Sequence, residues 1–296
     1  MIIANLIGGL GNQLFQYACA LALARRTGHA LALAVDQFAD YALHQGFELT
    51  RVFAAEAPLA SPDQVARLLG PLQGAAARRW VARLLPGRRQ GGRAWFEPAD
   101  GRFLPALLQT PGPAYLHGYW QDERYFADQA VALRQQLRFR EPSAQTTDGL
   151  RRLLDPAAGT PVSVHLRRGD YVSNPKNQRI YADCTPSYYA AAMDRLQAME
   201  PRATFWVFSD DMPWAREVLA DRRSQMVFVD HNRGPNSWND LLLMSRCRYH
   251  IIANSTFSWW GAWLAERPGQ VVISPRLWFN DAARGVHTVP QRWQRL

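Results

Sequence analysis

Within six residues the chain places a histidine, two arginines, a glycine and an aspartate: His165-Leu166-Arg167-Arg168-Gly169-Asp170. Guanidinium groups take up phosphate charge through paired N–H donors, and a neighbouring carboxylate can orient one of them or accept a proton. Gly169 permits a sharp turn. Side chains alternate along a strand, so Arg167 and Arg168 should face opposite ways and do different work. One would reach a ligand while the other pairs with acid inside the protein. A solvated rim or a structural ion pair would use the same residues, and the cluster alone does not decide between these readings.

Two more polar clusters follow apolar runs. Ser209-Asp210-Asp211 comes after Thr204–Phe208, and Asn254-Ser255-Thr256-Phe257-Ser258 after His250–Ala253. A carboxylate can accept from a purine's ring N–H and amino groups, small hydroxyls at a helix start suit phosphate oxygens, and Phe257 can stack on a base. Adjacent acids point apart and have no other clear oxygen ligand nearby, which argues against a metal; their plain alternative is capping the next helix. Near the N-terminus, Gly8-Gly9-Leu10-Gly11-Asn12-Gln13 separates an apolar strand, 2–7, from a helix over 14–26. Such a layout offers backbone N–H groups to an anion. Leu14 fills the third small position of a dinucleotide fingerprint and so spoils it. Asn12 and Gln13 suggest amides facing a polar ligand, with a simple tight turn as the alternative.

Strands must carry these groups. Apolar alternation predicts strands at 30–35, 115–120, 161–166, 204–208, 226–229, 250–253 and 271–274. Helices are expected at 61–70, 74–85, 122–137, 186–199 and 238–247, with a polar loop over 171–184. This β/α rhythm predicts an α/β fold with a parallel sheet in each half. Ligands of open α/β sheets bind at the carboxyl ends of strands, so the three C-terminal clusters should converge. Pro-, Gly- and Thr-containing sequence around 141–161 predicts domains of 1–155 and 156–296. His117, Tyr119 and Trp120 close one expected strand, a setting that suits stacking on sugar rings.

The 296 residues carry a net charge of +9, almost entirely from arginine, with 48% hydrophobic and 20% charged residues. That is a globular composition with a bias towards anionic partners. Three scattered cysteines argue against a disulfide framework or a zinc site. Neither a signal peptide nor a membrane-spanning run is expected. Arg78, Arg79 and Arg83 fall on one side of the 74–85 helix and Arg88, Arg89 and Arg93 follow, a pattern that suits an anionic membrane surface or an ordinary surface helix.

Four stretches in register resemble the bacterial α-1,2-fucosyltransferases of glycosyltransferase family eleven. They are Gly8–Tyr17, His165–Tyr171, Phe208–Asp211 and Ile252–Gly261, and the resemblance runs from Ile7 to about Leu264. It implies a GT-B-like α/β fold, two Rossmann-like domains whose parallel sheets face a cleft, with the acceptor on the N-terminal side and GDP-fucose on the C-terminal side. The implied reaction is inverting transfer of L-fucose from GDP-β-L-fucose to the 2-hydroxyl of a galactoside, with no metal or other cofactor. Arg167 would bind the pyrophosphate, Asp170 would be the base, and His165 belongs to the same catalytic set. Donor contacts would come from Gly11, Asn12, Arg168, Asp210 or Asp211 (one reading guanine), Asn254, Ser255, Thr256, Phe257 and Ser258. The implied setting is cytoplasmic surface-polysaccharide or O-antigen synthesis, peripheral on the inner membrane, with a galactose-terminated, lipid-linked acceptor and no nucleic acid. The competing readings are a nicotinamide oxidoreductase, resting on the glycine loop and Asp36, and a basic RNA- or membrane-binding module.

Overall fold

The computed structural model describes residues 1–39, 45–55, 57–70, 93–169, 174–221, 226–281, 284–285 and 287–296. The expected helix at 74–85 and its arginines lie outside them. The chain forms two units, Met1–Arg140 with Ala283–Pro290, and Glu141–Ala282 with Gln291–Leu296.

The first unit holds a parallel sheet in the order β2-β1-β4-β3, from β1 (Ile2–Asn5), β2 (Leu31–Ala34), β3 (Ala94–Phe96) and β4 (Ala114–His117). β1 is central and buried throughout. Ile3, Ala32, Phe96 and Tyr115 pack with Leu69 of helix α2 (Pro62–Leu69), which Ser61 and Gln64 start with a reciprocal capping box. Helix α1 (Leu10–Thr27) packs on β1 and buries nearly all of its first four turns, stopping at Gly28, whose left-handed φ of 67° lets its N–H reach the carbonyls of Ala24 and Arg25. The strand expected over 115–120 ends at His117, because the chain turns through Trp120 at φ 54°. The helix expected over 122–137 is two 3-10 turns, Glu123–Tyr125 and Ala127–Gln129, followed by α3 (Ala130–Gln136).

The second unit holds a parallel sheet in the order β10-β9-β8-β5-β6-β7. Its strands are β5 (Thr160–Leu166), β6 (Ala203–Ser209), β7 (Met226–Val229), β8 (Tyr249–Ile251), β9 (Val272–Ser274) and β10 (Gln294–Arg295). Its helices are α4 (Ala144–Leu154), α5 (Pro186–Met199), α6 (Met212–Val218), α7 (Trp238–Met244) and α8 (Thr256–Leu264). Val162, Val164 and Leu166 face Tyr189, Met193 and Leu196 of α5, and the opposite face gathers Trp206, Phe208, Leu243 and Met244. Four expected strands appear as β6 to β9, β7 with the expected bounds and the other three with one or both ends moved by one or two residues. A short helix, Pro175–Ile180, occupies part of the expected polar loop.

The boundary expected at 155 falls instead at 140. α4 belongs to the second unit: Leu153 joins the Trp206 cluster, and Thr146 donates to Asn232 at 3.2 Å. The proline-rich stretch after it is only a 3-10 turn, Pro156–Ala158, leading into β5. Residues 283–290 also return to the first unit, which a single cut in the sequence cannot represent. Among the described residues no helix is long and apolar enough to cross a membrane.

Candidate functional site

β5 and β6 are paired from Thr160 opposite Ala203 to Leu166 opposite Ser209, so their polar ends leave the sheet on one rung. Arg167 Nη1 lies 3.1 Å from Asp210 Oδ2, and Arg168 Nη1 lies 2.8 Å from Asp211 Oδ2. The backbone N–H of Arg168 also donates to Asp210 Oδ1 at 2.9 Å. Both arginines are therefore paired with acid, where the sequence led us to expect only one of them to be. Each keeps some solvent exposure, 25% for the Arg167 side chain and 36% for Arg168, so the pairs orient the guanidiniums without burying them. Asp211 does cap α6, accepting from the Trp214 N–H at 3.2 Å, while the Arg168 guanidinium lies 5.0 Å from the centre of the Trp214 ring. Gly169 matters for close approach: a Cβ there would overlap the Asp210 carboxylate. Asp170 lies outside the described residues.

His165 is buried on the Phe208 side of β5, its ring centroid 6.0 Å from that of Phe257. Burial, helped by the Arg167 charge, pushes its pKa down to about 3. The imidazole is thus neutral near pH 7 and too weakly basic there to hold a proton.

β8 adjoins β5 and delivers Asn254 to Ser258 to the same edge. The buried Asn254 amide donates to the carbonyls of Ala182 at 2.6 Å and Trp278 at 3.0 Å, tying down two neighbouring segments. Ser255 caps α8 by accepting from the Phe257 N–H at 3.3 Å, and Ser258 donates back to the Ser255 carbonyl at 3.3 Å. These groups build the loop. What the loop then offers an anion is the N-terminus of a nine-residue helix with no acid in its first turn, and the partly exposed Thr256 and Phe257.

In the first unit the glycine stretch is less open than its composition suggests. Leu10, Gly11, Asn12 and Gln13 already belong to α1. Gln13 is buried and makes four hydrogen bonds, donating to the Gly8 and Gly46 carbonyls and accepting from the Glu48 and Leu49 N–H groups. That uses the two donors and both lone pairs of its amide, so Gln13 does not face a ligand. Asn12 is partly exposed and accepts from Gln121 at 2.9 Å. The Leu10 N–H hydrogen-bonds to the buried Glu48 carboxyl, whose pKa burial raises. An internal acid thus already occupies the helix end where an external anion was expected.

Two further acids escaped the sequence reading. Asp240 on α7 is partly buried, desolvation pushes its pKa up to about 8, and it accepts from Asn232 at 2.8 Å. Glu97, just past β3, accepts from the Tyr119 and Trp120 N–H groups, and burial pushes its pKa up to about 7. Neither carries a sequence signal beyond being an isolated acid in an apolar context.

Two parallel sheets, one of them ending in oriented arginines beside a helix N-terminus, define an α/β protein equipped for an anionic ligand. The profile for Glycosyl transferase family 11 matches residues 105–287. The chain is 31% identical to an Escherichia coli α-1,2-colitosyltransferase, over 100% of this chain and 99% of that protein. It is 30% identical to the Escherichia coli O-antigen biosynthesis glycosyltransferase WbnK over 93% of each. With galactoside α-(1,2)-fucosyltransferase 1 of Ateles belzebuth the identity is 28%, over 87% of this chain and 63% of the other. The chain belongs to glycosyltransferase family 11. Among solved structures it resembles an Arabidopsis thaliana FUT1 mutant in complex with GDP, at a TM-score of 0.54 and 12% identity, covering 92% of this chain and 69% of that one. It also resembles NodZ α-1,6-fucosyltransferase soaked with GDP-fucose, at a TM-score of 0.50 and 13% identity over 96% of both chains. At these identities the likeness is one of fold, and that fold is of the GT-B type.

Proposed function

We propose that the chain is an inverting, metal-independent galactoside α-1,2-fucosyltransferase that moves L-fucose from GDP-β-L-fucose to the 2-hydroxyl of a galactoside. The observation that carries this is the Arg167–Asp210 pair on the β5/β6 rung, beside the neighbouring N-terminus of α8. As the sugar carbon becomes cationic, negative charge grows on the departing diphosphate. A guanidinium already oriented by its carboxylate, with a helix N-terminus alongside, stabilises that charge without having to reorganise. Each oxygen of Asp210 and Asp211 accepts one of the bonds described, leaving a lone pair for a guanine contact at either acid. Asp170 is the carboxylate assigned to receive the proton of the acceptor hydroxyl, and His165, kept neutral, stays in the same catalytic set. The 254–258 loop adds further donor contacts.

The O-antigen biosynthesis relative supports a role in O-antigen synthesis, and the same reading assigns the enzyme a cytoplasmic setting and a lipid-linked acceptor. The arginines of 74–93 would provide peripheral contact with anionic lipid, and neutralising Arg78, Arg79 and Arg83 should then reduce sedimentation with anionic vesicles. The colitosyltransferase relative favours a second donor reading, GDP-colitose, whose sugar is the 3-deoxy counterpart of L-fucose. Calorimetric titration with GDP, GDP-fucose, GDP-colitose, GDP-mannose and NADH in the presence of EDTA tests these readings together. Binding of GDP and GDP-fucose without metal supports the proposal; tighter GDP-colitose binding changes the donor; absence of guanine-nucleotide binding overturns it.

A further inference from the structure

Glu97 lies at the carboxyl edge of the first sheet, one residue beyond β3, inside a turn folded closely around its side chain. Oε1 accepts from the Trp120 N–H at 2.8 Å and Oε2 from the Tyr119 N–H. A Cβ on Gly118 would overlap the Glu97 side chain, so only glycine allows this approach. Trp120 is held at φ 54°, an uncommon conformation for a bulky residue, with its side chain fully buried and edge-on to Tyr125. The turn is thus built around the carboxylate, yet Glu97 stays partly exposed and the adjoining Tyr119 is 42% exposed.

Holding a turn does not call for an ionisable group, and desolvation makes one costly here. Burial pushes the Glu97 pKa up to about 7, against the two N–H groups and the Arg284 charge, with Asp100 raising it further. The other titratable groups coupled to it, Cys19 of α1 and Tyr125, are themselves kept neutral by burial. Two hydrogen bonds leave a carboxylate with further lone pairs. A partly exposed glutamate whose carboxylate is held by the backbone of an exposed tyrosine suits a sugar: hydroxyls donate to the charge while an aromatic ring covers the pyranose C–H face.

We propose that Glu97 and Tyr119 form a carbohydrate-acceptor subsite in the first unit, with the ionised carboxylate accepting hydrogen bonds from hydroxyls of a galactoside. The identity of the sugar rests on the function proposed above. Protonation of Glu97 withdraws the stronger acceptor, so galactoside affinity falls as pH falls through neutrality.

The test is a ligand-observed NMR titration of methyl β-galactoside into the full chain at about pH 8.5 and about pH 5.5, either side of the group's midpoint. Wild type, Glu97→Gln and Tyr119→Ala are compared, each also titrated with GDP by calorimetry. The expected result is binding at the higher pH that weakens about tenfold at the lower, a factor worth about 1.4 kcal/mol. Glu97→Gln should bind about tenfold more weakly at high pH and lose the pH dependence, while GDP affinity stays unchanged. A purely structural Glu97 would lower the melting temperature and leave the pH dependence of galactoside binding intact. If Glu97→Gln does not fold, Tyr119→Ala decides, because the bonds to Glu97 come from backbone N–H groups that it keeps. Absence of galactoside binding, or equal binding in wild type and Tyr119→Ala, overturns the subsite. Normal GDP binding in the same samples confines that failure to the subsite; loss of GDP binding by wild type removes the reading beneath it.

Discussion

The carboxyl edges of the two sheets share an architecture and differ in what they leave available. In the second unit Arg167, Arg168, Asp210 and Asp211 form ion pairs while keeping between 25% and 36% side-chain exposure. In the first unit the polar residues of the glycine stretch are largely consumed by the fold, most completely at Gln13. A polar motif next to a strand end is therefore not by itself a ligand site. Whether its donors and acceptors are already matched decides the question, and charged side chains with long stems can be matched and still reach solvent.

Four substitutions would break or sharpen that contrast. The largest effect is expected at the second edge: Arg167→Ala should cut turnover with GDP-fucose at least about 100-fold, the scale for losing one charge-stabilising donor. Circular dichroism should show the fold intact, and normal turnover would end the assignment. At the first edge Gln13→Ala should act on stability, leaving two carbonyls and two N–H groups unmatched, and cost about 3 kcal/mol in denaturant unfolding. A variant of unchanged stability but lost GDP affinity would move Gln13 into the donor site.

A smaller, pH-dependent effect is expected at Asp240. Its folded pKa of about 8 lies above the ordinary 3.8, so the folded chain keeps a proton that the unfolded chain has released. Between those values stability should fall as pH rises, by about 1.4 kcal/mol per pH unit from this group. Asp240→Asn, which cannot ionise, should remove that slope from melts run between about pH 5 and about pH 8; an unchanged slope would contradict the assignment. The smallest effect is expected at Asp211→Ala, where loss of the α6 cap should cost about 1 kcal/mol by chemical denaturation. A much larger loss would show the Arg168 pair to be a principal support of that edge.

Legibility from sequence followed the range of the interactions involved. The strands with clear apolar alternation, helix α5 with its Thr185-Pro186 start, and the clusters after β5, β6 and β8 were all readable, because period-two patterning and capping are written in neighbouring residues. β3 and β10, with three and two residues, are too short to carry a pattern. The broken 122–137 segment reads as a helix because its apolar spacing survives the 3-10 turns.

By itself the sequence determined an α/β chain of two parallel sheets with arginines, acids and hydroxyls at strand ends, and a family through four stretches in order. Only the tertiary structure decided what those groups do. Arg167 meets Asp210 because β5 and β6 are in register across more than forty intervening residues. Gln13 is spent because the Gly46–Leu49 segment folds against it, and the Glu97 pKa is raised because the Gly118–Trp120 turn folds around part of its side chain. Hydrogen-bond matching and desolvation are set by atoms distant in sequence, and a linear pattern does not encode which of them arrive.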